Sequence, residues 1–261
     1  MKLSCWFKGF SVFCLLLAMS GCVTEEITSR GPVEEIDKQK VLVKQIDLGF
    51  RYIGRNNLEK ARFHLSKALN IDPKSARANT GFALIYNKEG ESELADKHFR
   101  RALSGSGKNT QARFYYAVFL LEKQRIDEAR AQLAKVTKDV DFNNRALAFL
   151  SLGQVETKLG NAQAARAAFD KALRLNGNMA LAYLEIAELE YTDGNYQNSF
   201  NYLSNYRRLV PRPNARSLWL GVRVEHRRNN RDAEDSYGLA LEKMFPGSKE
   251  NLAYQQWRKR R

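Results

Sequence analysis

The residues of this 261-residue chain that could do chemistry are few, and most are spaced wrongly for it. Gly105-Ser106-Gly107-Lys108 carries the Gly-Lys pair of a phosphate-cradling loop. That loop, G-x-x-x-x-G-K-[ST], needs glycine at 102 and Ser or Thr at 109, where Ala102 and Asn109 stand, and it follows a strand rather than a helix. The segment reads as a turn between helices. His64 and His98 are 34 residues apart in matching contexts, which raises the idea of a metal pair. Equivalent helices of stacked units sit at least about 8–10 Å apart, too far for two side chains to share one ion without rearrangement, and two ligands do not close a site. No Ser/His/Asp spacing can be assigned. The sequence therefore predicts no catalytic residue, no metal, no cofactor and no small-molecule substrate.

Thiol chemistry is confined to the first 22 residues, which hold Cys5, Cys14 and Cys22, so the body has neither a disulfide nor a cysteine nucleophile. Lys2 and Lys8 precede the apolar run Gly9–Ser20, too short to span a bilayer and of the right length for an export signal. The run ends in Met19-Ser20-Gly21-Cys22, which resembles the lipobox of bacterial lipoproteins. That resemblance implies cleavage after residue 21, lipidation of Cys22 and, because Val23 rather than Asp follows, anchoring in outer-membrane lipid on the periplasmic face. Residues 22–38 read as a flexible lipidated tether around Gly31-Pro32, with a reach of about 20 Å.

The rest of the chain carries one motif six times. Leu48-Gly49, Tyr52, Ala61, Leu65, Ala68 and Pro73 match the tetratricopeptide spacing. The Leu-Gly pair recurs as Phe82-Ala83, Tyr116-Ala117, Leu152-Gly153, Ile186-Ala187 and Leu220-Gly221, at steps of 34, 34, 36, 34 and 34 residues. Small residues let two helices cross closely, large ones fill the space between hairpins, and Pro or Gly ends each unit. No single hairpin can bury its apolar face, so the hairpins stack. The expected fold is all-α: a right-handed solenoid of six repeats over 39–246 (about 42–75, 76–109, 110–145, 146–179, 180–213 and 214–246), closed by a capping helix at 247–261. Ser248 is placed to cap that helix, which carries Leu252 and Trp257.

Composition agrees with a packed body: 44% hydrophobic and 28% charged residues exclude wholesale disorder, collagen and a multi-span membrane protein. The charge is lopsided, with 43 Lys and Arg against 29 Asp and Glu. Residues 207–231 hold eight arginines against Glu225 alone, and the chain ends Arg258-Lys259-Arg260-Arg261. An export signal argues against nucleic acid. A solvated helical face and contact with an anionic envelope surface both remain open.

Taken together, a lipobox, six repeats, Ser217–Glu225 (SLWLGVRVE) and Phe245–Glu250 (FPGSKE) resemble the type IV pilus biogenesis and stability lipoproteins, the PilF/PilW pilotin family. The resemblance implies a protein that binds the pilus secretin subunit and promotes its localisation and multimer assembly in the outer membrane. Two alternatives share the lipid-anchored repeat design: a periplasmic adaptor for cell-wall hydrolases and a subunit of a barrel-inserting machine. In such repeats, positions 2, 5, 9 and 12 of the first helix face the concave groove. Those positions are Val43, Ile46, Phe50 and Ile53 in repeat 1, Leu84 and Asn87 (after Arg77 and Thr80) in repeat 2, and Phe114, Val118 and Leu121 (after Gln111) in repeat 3. They predict an exposed apolar stripe that receives an amphipathic helix of the secretin.

Overall fold

The computed structural model describes residues 32–105 and 107–260, and among these the only regular elements are thirteen α-helices. The chain divides into residues 1–41 and residues 42–261. Helix α1 (Pro32–Gly54) and α2 (Leu58–Ile71) form the first hairpin; α3 (Ala76–Lys88) and α4 (Ser92–Leu103), then α5 (Thr110–Glu122) and α6 (Ile126–Val136), form the next two. Three more follow: α7 (Arg145–Lys158) with α8 (Ala162–Leu175), α9 (Ala180–Thr192) with α10 (Tyr196–Leu209), and α11 (Ala215–Arg227) with α12 (Arg231–Met244). Helix α13 (Lys249–Arg258) closes the end. Helix α1 takes in residues 32–38, which the sequence reading gave to the tether. Proline suits a first helical position, where its missing N–H would have no partner anyway, and no Gly or Pro follows before Gly49.

The recurring small residue explains the hairpin. A Cβ at Gly49 would lie 2.6 Å from the Leu65 side chain, and one at Gly153 would lie 2.3 Å from the Phe169 ring. The link between the two helices of each repeat needs a left-handed residue, supplied by Asn56, Gly90, Gln124, Gly160, Gly194 and Asn229 with φ between 56° and 85°. Apolar residues then merge across neighbouring repeats rather than within one. Ala61, Leu65 and Ile85 share one cluster, Phe99, Phe119 and Leu133 the next, and Leu184, Leu203 and Leu220 another. This is the nearest-neighbour packing of a solenoid.

Polar ties repeat with the same register. Gln45 meets His64 at 2.7 Å, Asn79 meets His98 at 3.1 Å and Arg113 meets Gln132 at 2.8 Å, each pair 19 residues apart across one hairpin. Between repeats, Arg62 lies 4.8 Å from the Tyr86 ring centre, while Arg130 and Arg166 pair with Glu156 and Glu190 at the corresponding places.

The 36-residue step has a structural cause. The α6–α7 connection carries Phe142 inward, where its ring sits 5.7 Å from that of Phe114. At the far end Ser248 caps α13 by accepting from the Asn251 N–H at 3.1 Å. The packing face of α13 is Asn251, Tyr254 and Trp257, while Leu252 is 53% exposed. Gly238 makes room for Tyr254, whose hydroxyl would lie 2.2 Å from a Cβ at that position.

Candidate functional site

The first helices of the repeats share one face: α3 touches α5, α5 touches α7, and α9 touches α11. The nine residues predicted for the groove divide on this face. Ile46, Ile53 and Phe114 are core residues, exposed by only 3%, 7% and 4%. On α1 the inward stripe is Leu42, Ile46, Gly49 and Ile53, stepping by four, three and four, and it packs onto Ala61, Leu65 and Ile85. Phe114 packs under Phe142, which stands in the longer α6–α7 connection. The position rule for this face is therefore corrected at these three residues.

The other six stay accessible. Val43 is 40% exposed, while Phe50, Leu84, Val118, Leu121 and Asn87 are half-buried. Leu84 belongs to both neighbouring clusters, so Phe50, Leu84, Val118 and Leu121 follow one another along repeats 1 to 3. Polar pairs fringe this row. Arg77 bonds Asp47 at 2.7 Å with both side chains more than half exposed, and the Asn87 amide donates to Glu122 at 2.9 Å. A pair as exposed as Arg77–Asp47 holds geometry more than it adds stability.

The C-terminal part of the same face has a different chemistry, which the sequence reading missed. Arg216 grips Glu185 with two bonds of 3.0 and 2.7 Å and reaches Glu188 at 3.4 Å. Arg223 bonds Glu188 at 2.9 Å, with its guanidinium 4.7 Å from the Tyr191 ring centre and 5.4 Å from that of Trp219. The hydrogen bonds to Glu185 raise the Arg216 guanidinium above its ordinary value despite burial. Opposite charges about one repeat apart, 31 residues for Glu185–Arg216 and 35 for Glu188–Arg223, were the available signal.

The histidines serve the hairpins. His64 stacks on Tyr52 at 5.4 Å and His98 on Phe82 at 5.4 Å, each bonded to an amide of its own repeat. Burial, reinforced by the charges of Arg101, Lys97 and Arg62, pushes the His98 pKa below its ordinary value. Cys22 and residues 1–31 lie outside the described residues, and among the described helices none is long and apolar enough to cross a membrane.

Six hairpins with a crossing glycine or alanine and a repeat-to-repeat core define a tetratricopeptide-repeat protein, a scaffold for binding other proteins. Tetratricopeptide family models match residues 88–152 and 150–212. The chain is 35% identical over 245 residues to the type IV pilus assembly protein PilF of Pseudomonas aeruginosa, spanning 94% of this chain and 96% of that one. It belongs to the PilF family of type IV pilus proteins. The solved structure of Pseudomonas aeruginosa PilF superposes with a TM-score of 0.80, covering 84% of this chain and 99% of that one. PilW, a widely conserved type IV pilus biogenesis factor, superposes at 0.73 with 25% identity, covering 82% of this chain and 98% of that one. The Cut9–Hcn1 assembly, at 18% identity, TM-score 0.66 and coverage of 84% of this chain and 43% of that one, shares the fold alone.

Proposed function

We propose that this pilus biogenesis protein is a pilotin: a lipoprotein held in the outer membrane through acylated Cys22, whose N-terminal repeats receive an apolar helical segment of the type IV pilus secretin. The observation that carries the reading is the accessible row of Val43, Phe50, Leu84, Val118 and Leu121 across repeats 1 to 3. A row of half-exposed aliphatic and aromatic side chains fringed by polar pairs matches the groove that receives one face of an amphipathic helix. Each such anchor contributes about 1.5–3 kcal/mol when fully covered, before ordering costs.

Phe50 and Val118 are the residues to replace, because polar substitution at Ile46 would unfold the first repeat and say nothing about binding. Phe50→Ala is expected to weaken secretin binding about thirtyfold, the equivalent of about 2 kcal/mol. Phe50→Ser with Val118→Ser should reduce secretin multimers in cells while circular dichroism stays helical. Normal multimers with a folded double variant would refute the groove. The anchor is tested separately: radiolabelled palmitate should enter the wild type, fail to enter Cys22→Ser, and fractionate with the outer membrane.

A further inference from the structure

In repeats 5 and 6, helices α10 and α12, the start of α11 and the α10–α11 connection enclose an open cavity of about 660 Å³. Its walls are mostly apolar, including Val210, Pro211 and Leu218 with three serines among them, and its rim carries Arg207 and Arg208; no carboxylate lines it. The sequence from residue 194 to 224 contains five arginines and no Asp or Glu. Of those five, Arg216 and Arg223 are neutralised by Glu185 and Glu188. Arg207 and Arg208 meet neutral partners among the described residues. Arg207 donates to the Tyr237 hydroxyl at 2.6 Å with its guanidinium 5.1 Å from that ring centre, and Arg208 donates to the Asn205 side-chain oxygen at 3.1 Å.

A guanidinium stacked on a tyrosine is held in one plane but keeps donors free, the presentation that suits a phosphate's oxygens. The Tyr237 hydroxyl, having accepted from Arg207, still has its own proton to donate. Behind these donors lies an apolar recess in the size range of small-molecule pockets. A strongly charged, carboxylate-free rim over an apolar recess fits an amphiphilic anion better than an inorganic ion, which would leave the recess unfilled, or an acidic peptide, which would put further polar backbone against it. We infer that this cavity binds the phosphate headgroup of an anionic membrane phospholipid, with Arg207 and Arg208 on the phosphate and the apolar walls beside the glycerol and first methylenes. This site is independent of the secretin reading and of the lipid anchor.

The test uses residues 22–261 carrying Cys22→Ser, the chain left by the expected cleavage, so that neither the apolar signal nor acylation can supply the binding. Co-sedimentation is measured with phosphatidylcholine vesicles with and without phosphatidylglycerol. Binding is expected only with phosphatidylglycerol, and Arg207→Ala with Arg208→Ala should weaken it about thirtyfold, or about 1 kcal/mol per cation near an anionic surface. Arg51→Ala with Arg55→Ala removes the same charge elsewhere and should change it less than threefold. Equal losses in the two double variants would mean general charge attraction and overturn the site. Displacement from vesicles by millimolar inorganic phosphate, or equally by a hexaglutamate peptide, would assign the arginines to a free anion or an acidic partner and overturn the lipid assignment. Retained helical circular dichroism in both variants keeps the comparison valid, since all four arginines are exposed.

Discussion

The helix crossing of repeat 4 offers a demanding test of the packing. In repeat 4, a methyl at Gly153 would meet the Phe169 ring at 2.3 Å, well inside any contact real side chains show, and Phe169 is fully buried, so the ring has nowhere to turn. Gly153→Ala must push α7 and α8 apart or force Phe169 off its rotamer, an overpacking cost of about 1–3 kcal/mol. The same chain supplies the remedy. Repeats 3 and 5 place Ala117 and Ala187 at the equivalent position, opposite Leu133 and Leu203, whereas repeat 2 seats Ala83 with a fully buried Phe99 in one cluster, so its crossing already has the adjustment that Gly153→Ala would force on repeat 4. Phe169→Leu alone should destabilise by about 1 kcal/mol through lost ring contacts, but should relieve the clash when combined with Gly153→Ala. The double variant is expected to be more stable than the sum of the single effects by about 1 kcal/mol, within the range of coupled neighbours. Urea unfolding followed by circular dichroism at 222 nm in all four proteins gives the coupling directly. Additive effects, or a Gly153→Ala variant as stable as the wild type, would show that the crossing is not set by this contact.

Removing the lid on the third repeat should expose its ring: Phe142→Ala is expected to cost about 3 kcal/mol, the low end of the range for a buried Phe→Ala change, and to raise binding of an apolar dye at the α5 face; an unchanged midpoint in urea would contradict the plug. Arg216→Ala should destabilise by about 2 kcal/mol, because Glu185 is left buried and charged while the arginine was itself partly hydrated; thermal melts of Arg216→Ala and of the double variant with Glu185→Gln, which should recover most of the loss, check this. His98 gives a pH dependence of known sign. Its folded-state pKa lies below the ordinary value, so the unfolded chain takes up the proton first as pH falls. Stability should decline from about pH 6.5 downward until the folded-state pKa is passed and then level off; denaturation midpoints at pH 7.5, 6.0 and 5.0 should show this slope in the wild type and lose it in His98→Gln. Asp96 has the opposite origin and an acid-side effect. Burial raises its pKa, but hydrogen bonds from Arg100, Arg125 and Tyr116 bring it below the ordinary value. Its contribution is therefore complete above about pH 4 and lost as pH falls further, so Asp96→Asn should flatten the acid limb of the stability curve.

The sequence by itself determined the hairpins, their number and their register. Gly49, Ala83, Ala117, Gly153, Ala187 and Gly221 recur because two backbones must approach closely at one point per repeat, and that requirement is local to a hairpin and visible as spacing. It also marked the apolar character of the first three repeats. Only the tertiary structure decided which of those apolar residues a partner could reach. Ile46 and Phe50 are four residues apart on one helix, yet Ile46 faces Leu65 and Ile85 while Phe50 stays half open, a difference of rotation set by where α2 and α3 lie. Phe114 was lost to the face because Phe142, 28 residues later, folds back over it, and the two-residue insertion that permits this looks in the sequence like a mere slip of period. The Arg216–Glu185–Glu188–Arg223 network and the arginine-rimmed cavity likewise join residues from adjacent repeats. Spacing encodes what one hairpin must do to close; what adjoining hairpins cover, pair or leave open depends on the angle at which they stack, and that angle is a property of the assembled core.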